Sequence, residues 1–508
     1  MKNILTFLIF LTSALELFTQ PHGIHPAWYQ SPKIAVASVN ADLNGAVANN
    51  MVVKGNGTTI FFYRKGNSNY WTGTNDNGVS WDAPAPSLLT TPPPNAATGL
   101  SSISADIDVN DNIHILWKSQ HFALSYSRYN GVSWSNPVTI STSTITANDT
   151  IGFSQITVDR RGIIHLMWQQ GNHNNNSLSS SCWYSRSADG GVTFSSVPVK
   201  LSGTLPGDAA FPVADFGGTA TDTLIITWRH NTSGNPNMHI MDWDVYGAVT
   251  RDGGVTWGQP APIAAGQHHQ WDPNTIVDKK GFIHLFFHEY HSDTTGADST
   301  ANIHYKFSTD GGTTWSGSHI ISEPYRSHLV KTAYDIKNDA VWCVWKDERD
   351  ATFGNPRADL VGVYLTNNGI PVISAPEFIT DHDTMEISYH NFKVGADGIM
   401  RAVYNNSLMQ GKGDKIYYTQ RTPLAITAIK EQSKEDNGIL LYPNPTSGNI
   451  RINNQNKEKI SLKLFNILGE MIMQTEQTDF SIANLPGGIY IAVVIRGKST
   501  SSLKIMKL

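Results

Sequence analysis

Ser308-Thr309-Asp310-Gly311-Gly312-Thr313-Thr314-Trp315 decides the fold, because the chain spells it repeatedly. The pattern Ser/Thr-x-Asp-x-Gly-x-Ser/Thr-aromatic returns at Thr74–Trp81, Ser187–Phe194 and Thr250–Trp257. A worn copy runs from Ser127 to Trp134, with Tyr129 in place of the acid. The closing aromatics recur at intervals of about 53 to 63 residues, and a period of that size marks an array of similar units.

Between the boxes the chain keeps one grammar. A strand ends in a turn such as Val158-Asp159-Arg160-Arg161-Gly162 or Val277-Asp278-Lys279-Lys280-Gly281. A second strand follows, as in Ile113–Trp117, Ile164–Trp168 and Ile283–Phe287. A polar loop leads to a third strand, the box forms the next turn, and a Pro-flanked fourth strand closes the unit. Short β-branched and aromatic runs bounded by Gly, Asn and Asp read as strands joined by tight turns. Four antiparallel strands repeated about an axis make a β-propeller, so the fold class is all-β. The units fall near 46–95, 103–141, 153–202, 211–264, 272–322 and 329–380, with a three-stranded run at 390–421. Seven blades are expected if Lys33–Val39 supplies the missing strand, with six as the alternative.

The chain has 508 residues, 14 Trp, 16% charged residues and a net charge of −5. That balance gives no general pull toward nucleic acid. Residues 1–20 read as a signal peptide, with Lys2 before an apolar run too short to span a bilayer comfortably. No later apolar run is long enough for a membrane span. Cys182 and Cys343 lie in strand-like apolar runs and are expected to be buried thiols. The expected domains are therefore a signal peptide at 1–20, a propeller at 21–426, a charged linker at 427–437 and a small Ig-like β-sandwich at 438–508.

The boxes resemble the Asp-box, or BNR, repeats of sialidase-like propellers. The resemblance implies that Asp76, Asp189, Asp252 and Asp310 fasten the turn between the third and fourth strands rather than act as catalytic carboxylates. The end of the chain resembles the sorting domain of the type IX secretion system. Leu441-Tyr442-Pro443-Asn444-Pro445, Leu485-Pro486-Gly487-Gly488-Ile489-Tyr490 and a Lys-containing terminus carry that likeness. It implies passage to the outside of the cell or its outer surface, with the secretion machinery as a partner.

If the boxes cap one face, the ends of the second strands meet at the other. They pair an aromatic with a polar residue: Tyr63-Arg64, Trp117-Lys118, Trp168-Gln169, Trp228-Arg229, Phe287-His288, Trp345-Lys346 and Tyr404-Asn405. One reading packs the aromatics between blades. The other makes a cationic, aromatic-lined cup for an acidic glycan from Arg64, Lys118, Arg229, His269, Trp271, Arg326, His328, Lys346 and Arg349, because guanidinium pairs with carboxylate in bidentate fashion. Candidate catalytic groups are His288, Glu289, Tyr290, Asp347, Glu348 and Tyr389. His268, His269, His288 and His291 with Glu289 suit either a metal or a general base; no cofactor is expected. His114, His165 and His284 share one register inside strands and read as structural. Asp106–Asp111 mimics a calcium loop but lacks its central glycine and its last ligand.

The sialidase resemblance stops short of the active site. Those enzymes use three arginines, an Asp and a Tyr–Glu pair, whereas Ser31-Pro32-Lys33-Ile34 has no arginine where the first is expected. Tyr389 or Tyr404 near Glu386 does not restore the order. Three functions remain: a glycoside hydrolase acting on extracellular acidic glycans, a uronic-acid polysaccharide lyase using His, Tyr and Arg, and a non-catalytic glycan- or protein-binding propeller.

Overall fold

Consecutive antiparallel strands that are apolar on both faces need a neighbour on each side, and a closed ring of sheets supplies both. In the computed structural model this need is met by two compact units, Met1–Leu424 and Ala425–Leu508. The structure describes residues 23–37, 41–43, 49–65, 68–82, 103–120, 123–140, 142, 150–174, 177–215, 222–232, 243–266, 268–292, 298–323 and 326–349. It further describes residues 358–367, 371–381, 386–407, 415–424, 439–442, 446–454, 459–466, 471–486, 488–496 and 499–507. The expected signal peptide and linker lie outside them.

The first unit is a seven-bladed propeller among the described residues. In blade five the order is His269–Val277, Ile283–Ser292, Asp298–Ser308 and His319–Ile320, each strand antiparallel to the next. Blades two, three and four repeat this order, and blade six adds the short strand Glu377–Phe378. Blade seven is built from Glu386–Val394, Met400–Ser407, Lys415–Arg421 and, from the other end of the chain, Lys33–Val36. The N-terminal strand therefore closes the ring, which settles seven blades over six. The innermost strands of blades three to seven begin about three residues before the expected boundaries, because each continues through a bulge that breaks the alternation.

Seven apolar cores, one between each pair of adjacent blades, hold the ring. Every second-strand aromatic packs in the core shared with the preceding blade: Tyr63, Trp117, Trp168, Trp228, Phe287, Trp345 and Tyr404 are all buried. None lines the mouth. A large ring fully buried between sheets gains about twice what a half-exposed one gains, so packing takes these residues.

The boxes lie at the opposite end of the blades from the second-strand ends. Asp189 accepts from Ser187 Oγ at 2.7 Å, from Thr193 Oγ1 at 2.5 Å and from the Thr193 amide at 3.0 Å. Asp76, Asp252 and Asp310 repeat this arrangement, and hydrogen bonding holds each below the usual carboxylate range. Each box also docks on the blade before it. Phe194 and Trp257 meet Tyr126 and Tyr184 edge-on at 4.9 and 4.8 Å. Gly191 and Gly254 have φ of 88° and 86°, and a Cβ on either would come within 2.2 and 1.9 Å of those tyrosine hydroxyls. Only glycine fits that turn.

The same tyrosines fix the in-strand histidines. Tyr126, Tyr184 and Tyr305 hydroxyls lie 2.7, 2.8 and 2.8 Å from Nδ1 of His114, His165 and His284. Asp108 and Asp278 reach Nε2 of His114 and His284 at 3.3 Å. Asp108 also accepts from the Asn110 and Asn112 amides, so the stretch that mimics a calcium loop spends this carboxylate on its own turn. Cys182 and Cys343 are buried free thiols.

The second unit packs two antiparallel sheets. Ile439–Tyr442, Asn449–Asn454 and Asp479–Ser481 form one; Met471–Thr475, Ile460–Phe465, Gly488–Arg496 and Ser499–Lys507 form the other. Ile460, Leu462 and Leu464 alternate inward and meet Ile450, Ile452, Ala492, Val494 and Ile505 in the core.

Candidate functional site

The site begins with a repeated irregularity of the innermost strands. In blades three to seven one extra residue enters the first strand, between Gly152 and Gln155, Ala210 and Val213, Trp271 and Asn274, His328 and Lys331, and Ile387 and His390. Four of these bulges hold a non-glycine residue at positive φ: Phe153 at 46°, Phe211 at 59°, Asp272 at 45° and Leu329 at 56°. Such a conformation is costly for a bulky side chain and concentrates at functional sites. Bulges re-aim side chains, and here they turn Phe153, Phe211 and Asp272 toward one mouth.

Arg229 is the centre of that mouth. Its guanidinium carbon lies 3.8 Å from the Phe211 ring centroid, 4.8 Å from Trp243 and 5.0 Å from Trp271. Asp272 Oδ1 stands 3.7 Å from Arg229 Nη1, and the Phe153 ring packs against Phe211 at an interplanar angle of 33°. Burial pulls the Arg229 pKa down, opposed by the negative charge of Asp272.

Blades five and six contribute two imidazoles. His288 lies opposite Trp271 in register, and its ring centroid is 4.8 Å from Tyr290 and 6.2 Å from His328. Neither ring nitrogen of His288 has a hydrogen-bond partner, and burial drives its pKa down to about 3, so it is neutral at physiological pH. His328 is anchored: its Nε2 meets Glu348 Oε1 at 2.9 Å. Glu348 also takes Lys346 Nζ at 2.9 Å and stands 3.4 Å from Arg326 Nε. Burial would raise the Glu348 pKa, but the hydrogen bond from His328 and the charges of Lys346 and His328 prevail and hold it at about 2. Behind the bulges, Lys331 is buried and pushed down to about 7, and buried His390 to about 3.

Of the residues proposed from sequence, Arg229, Trp271, His288, Tyr290, Arg326, His328, Lys346 and Glu348 come together here. His269 lies opposite Tyr290 at the entrance of its strand. Others serve elsewhere. Asp347 and Arg349 satisfy each other in bidentate fashion at 2.8 and 2.9 Å, with Arg349 also on Glu323 and over Phe378, so neither is free for substrate. Tyr389 packs against the core between blades seven and one, and its amide donates to Asn405 Oδ1. Arg64 and Lys118 belong to blades one and two, three blades from blade five around the ring. Glu289 leaves the His288 cluster for a pocket of its own with Gln270, His291 and His304. Sequence reasoning missed Phe153, Phe211, Trp243 and His390, and gave Asp272 no role beyond its place in the segment before the first strand of blade five. The prolines Pro212 and Pro273 inside two of the bulges were the one local hint.

Residues 440–507 match the model described as secretion system C-terminal sorting domain. The C-terminal unit is a type IX sorting domain. It places the protein outside the cell, secreted or on the outer-membrane surface; no helix among the described residues is long and apolar enough to cross a membrane. No curated protein matches the chain. Among solved structures, an ulvan lyase of a new polysaccharide lyase family is similar at 14% identity and a TM-score of 0.51, over 79% of this chain and 97% of that one. The same kind of lyase bound to -[GlcA(1-4)Rha3S]- gives 15% identity and a TM-score of 0.50, with the same coverage. A Hadza microbial sialidase aligns at 14% identity and a TM-score of 0.40, over 76% of this chain and 68% of that one. At these identities the lyase likeness speaks to the propeller fold.

Proposed function

We propose that this propeller is an extracellular polysaccharide lyase that cleaves uronic-acid glycans by β-elimination. The observation that carries the reading is the pair of imidazoles, His288 and His328, set 6.2 Å apart beside Arg229. Elimination needs three things: neutralisation of the uronate carboxylate, a base for the adjacent C–H proton, and an acid for the departing oxygen. Arg229 supplies the first, in a setting where aromatic faces exclude water and strengthen the charge interaction. His328, held through Nε2 by Glu348, presents Nδ1 as the base. Tyr290 protonates the leaving oxygen, and neutral His288 between them bonds the sugar. The C–H and C–O bonds break, the ring double bond forms, His328 gives the proton it took to water, and the Tyr290 phenolate regains one from water.

Glycoside hydrolysis by two carboxylates is less well supported. It requires an acid that stays protonated near neutrality. Glu348 is held at about 2 and Asp272 stands in an ion pair with Arg229. The structurally similar ulvan lyase adds that a propeller can host such an elimination.

The test is incubation of the secreted protein with uronic-acid and sialylated glycans. Ultraviolet absorbance from an unsaturated uronate at the new non-reducing end supports elimination. New reducing ends without that absorbance would establish hydrolysis, and binding without either product would make the mouth a recognition site.

A further inference from the structure

Blade five carries a second polar cluster on the other side of its strands from His288. Strand alternation sends Glu289 and His291 away from His288 and Tyr290. His268, Glu289 and His291 bring one ligand atom each to within 4.8 Å of one another. His291 Nε2 lies 3.6 Å from Glu289 Oε1, and the His268 and His291 rings are 4.3 Å apart.

A fourth group faces the same carboxylate. His304, on the neighbouring strand Asp298–Ser308, places Nε2 3.8 Å from Glu289 Oε1. Its side chain is 9% exposed and Nε2 has no hydrogen-bond partner. Ser318 Oγ sits 2.8 Å from Nδ1, fixing the ring with Nε2 toward the cluster. Gln270 Nε2 donates to Glu289 Oε2 at 2.9 Å, which leaves Oε1 facing the three imidazoles. These are the outer contacts that orient ligands in metal sites.

We infer that His268, Glu289, His291 and His304 form a binding site for a divalent transition metal, zinc by donor chemistry. Three imidazoles and one carboxylate suit zinc better than calcium or magnesium, which take oxygen ligands. Two ligands on a tetrahedral zinc at about 2.1 Å stand roughly 3.4 Å apart, close to the 3.6 and 3.8 Å already present. With all four positions filled by protein, the metal ties the start of the first strand to the second and third. Glu289 lies between His288 and Tyr290 in sequence, so the tie also braces the strand that carries both.

The experiment uses the full chain, stripped with a chelator and titrated with zinc by calorimetry, with cobalt as a spectroscopic stand-in. The expected result is a single zinc per chain and the visible absorption of tetrahedral cobalt. E289Q and H291A are expected to weaken zinc binding by more than roughly tenfold, and S318A, which removes only the outer contact on His304, by about tenfold. H319A alters an exposed histidine next to the site and is expected to change nothing. Absence of zinc binding, or binding equally tight in E289Q, H291A and S318A, would overturn the assignment. None of these readouts depends on lyase activity, so the metal site and the proposed reaction stand or fall separately.

Discussion

His328 Nε2 and Glu348 Oε1 meet at 2.9 Å, joining the bulged first strand of blade six to the residue just after its second strand. The contact spends one ring nitrogen on anchorage and leaves the other for chemistry. H328A is therefore expected to lower kcat by roughly 10²–10⁴-fold. E348Q, which keeps the shape and loses the charge, should lower kcat less than H328A and move the acid limb of the pH–rate profile. A profile of E348Q that overlays the parent would remove Glu348 from the positioning of His328.

Arg229 stacks on three rings as well as facing the mouth. R229K keeps the charge but loses the planar fork and the stacking, so kcat/KM should fall by roughly 10²–10³-fold, similar to losing a preorganised donor. Thermal unfolding of R229K separates loss of substrate recognition from loss of fold. Steady-state rates on a neutral glycan should be equally low for parent and variant.

Three buried histidines make the fold acid-sensitive in a defined window. Burial lowers His165, His288 and His390 to about 3, below the ordinary value near 6.5. The unfolded chain takes up these protons first, so their contribution is complete above about 6.5 and is lost as pH falls toward 3. Each imidazole contributes a slope of at most about 1.4 kcal/mol per pH unit in that window. Urea unfolding at pH 7 and pH 5 checks this, and H390F should flatten the difference.

Core and mouth aromatics should separate cleanly. W228A opens a cavity between blades three and four and is expected to cost about 3–5 kcal/mol of stability. F153A removes a ring that is 40% exposed, so the denaturant midpoint should hold while glycan affinity falls. Equal midpoints for both variants would contradict the packing described here.

Removing residues 21–37 takes away the closing strand Lys33–Val36 and Trp28, whose indole donates to Glu377 Oε2 at 2.9 Å. The truncated propeller is expected to lose cooperative thermal unfolding. A single sharp transition at the parent's temperature would show that the latch is dispensable.

The fold was legible because its signals are local and repeated. Turn chemistry puts Asp and Gly at fixed places in each box, and second strands read as β-branched and aromatic runs whatever surrounds them. Even the N-terminal strand could be inferred from an otherwise incomplete last blade. The site was legible only in part. Arg229, His288, His328 and Glu348 stand at strand ends where the repeat places a mouth. Phe153, Phe211 and Asp272 reach it through a bulge, and one inserted residue reverses which face a side chain takes. Asp347 and Arg349 looked suited to a ligand because sequence shows their charges but not that each already satisfies the other. Glu289 was placed beside His288, yet strand alternation divides the two between opposite sides of the blade.

The latch also bears on what a cut between the two units would leave behind. Arg421 bonds Glu377 at 2.7 and 2.8 Å, and the Thr422 amide donates to the Ala27 carbonyl at 3.0 Å, so both ends of the ring are pinned to each other before residue 425. A protease acting within 425–438 would cut downstream of every one of these bonds. The ring would then leave its sorting domain as a sealed object, with no strand surrendered and no new sheet edge exposed to the medium.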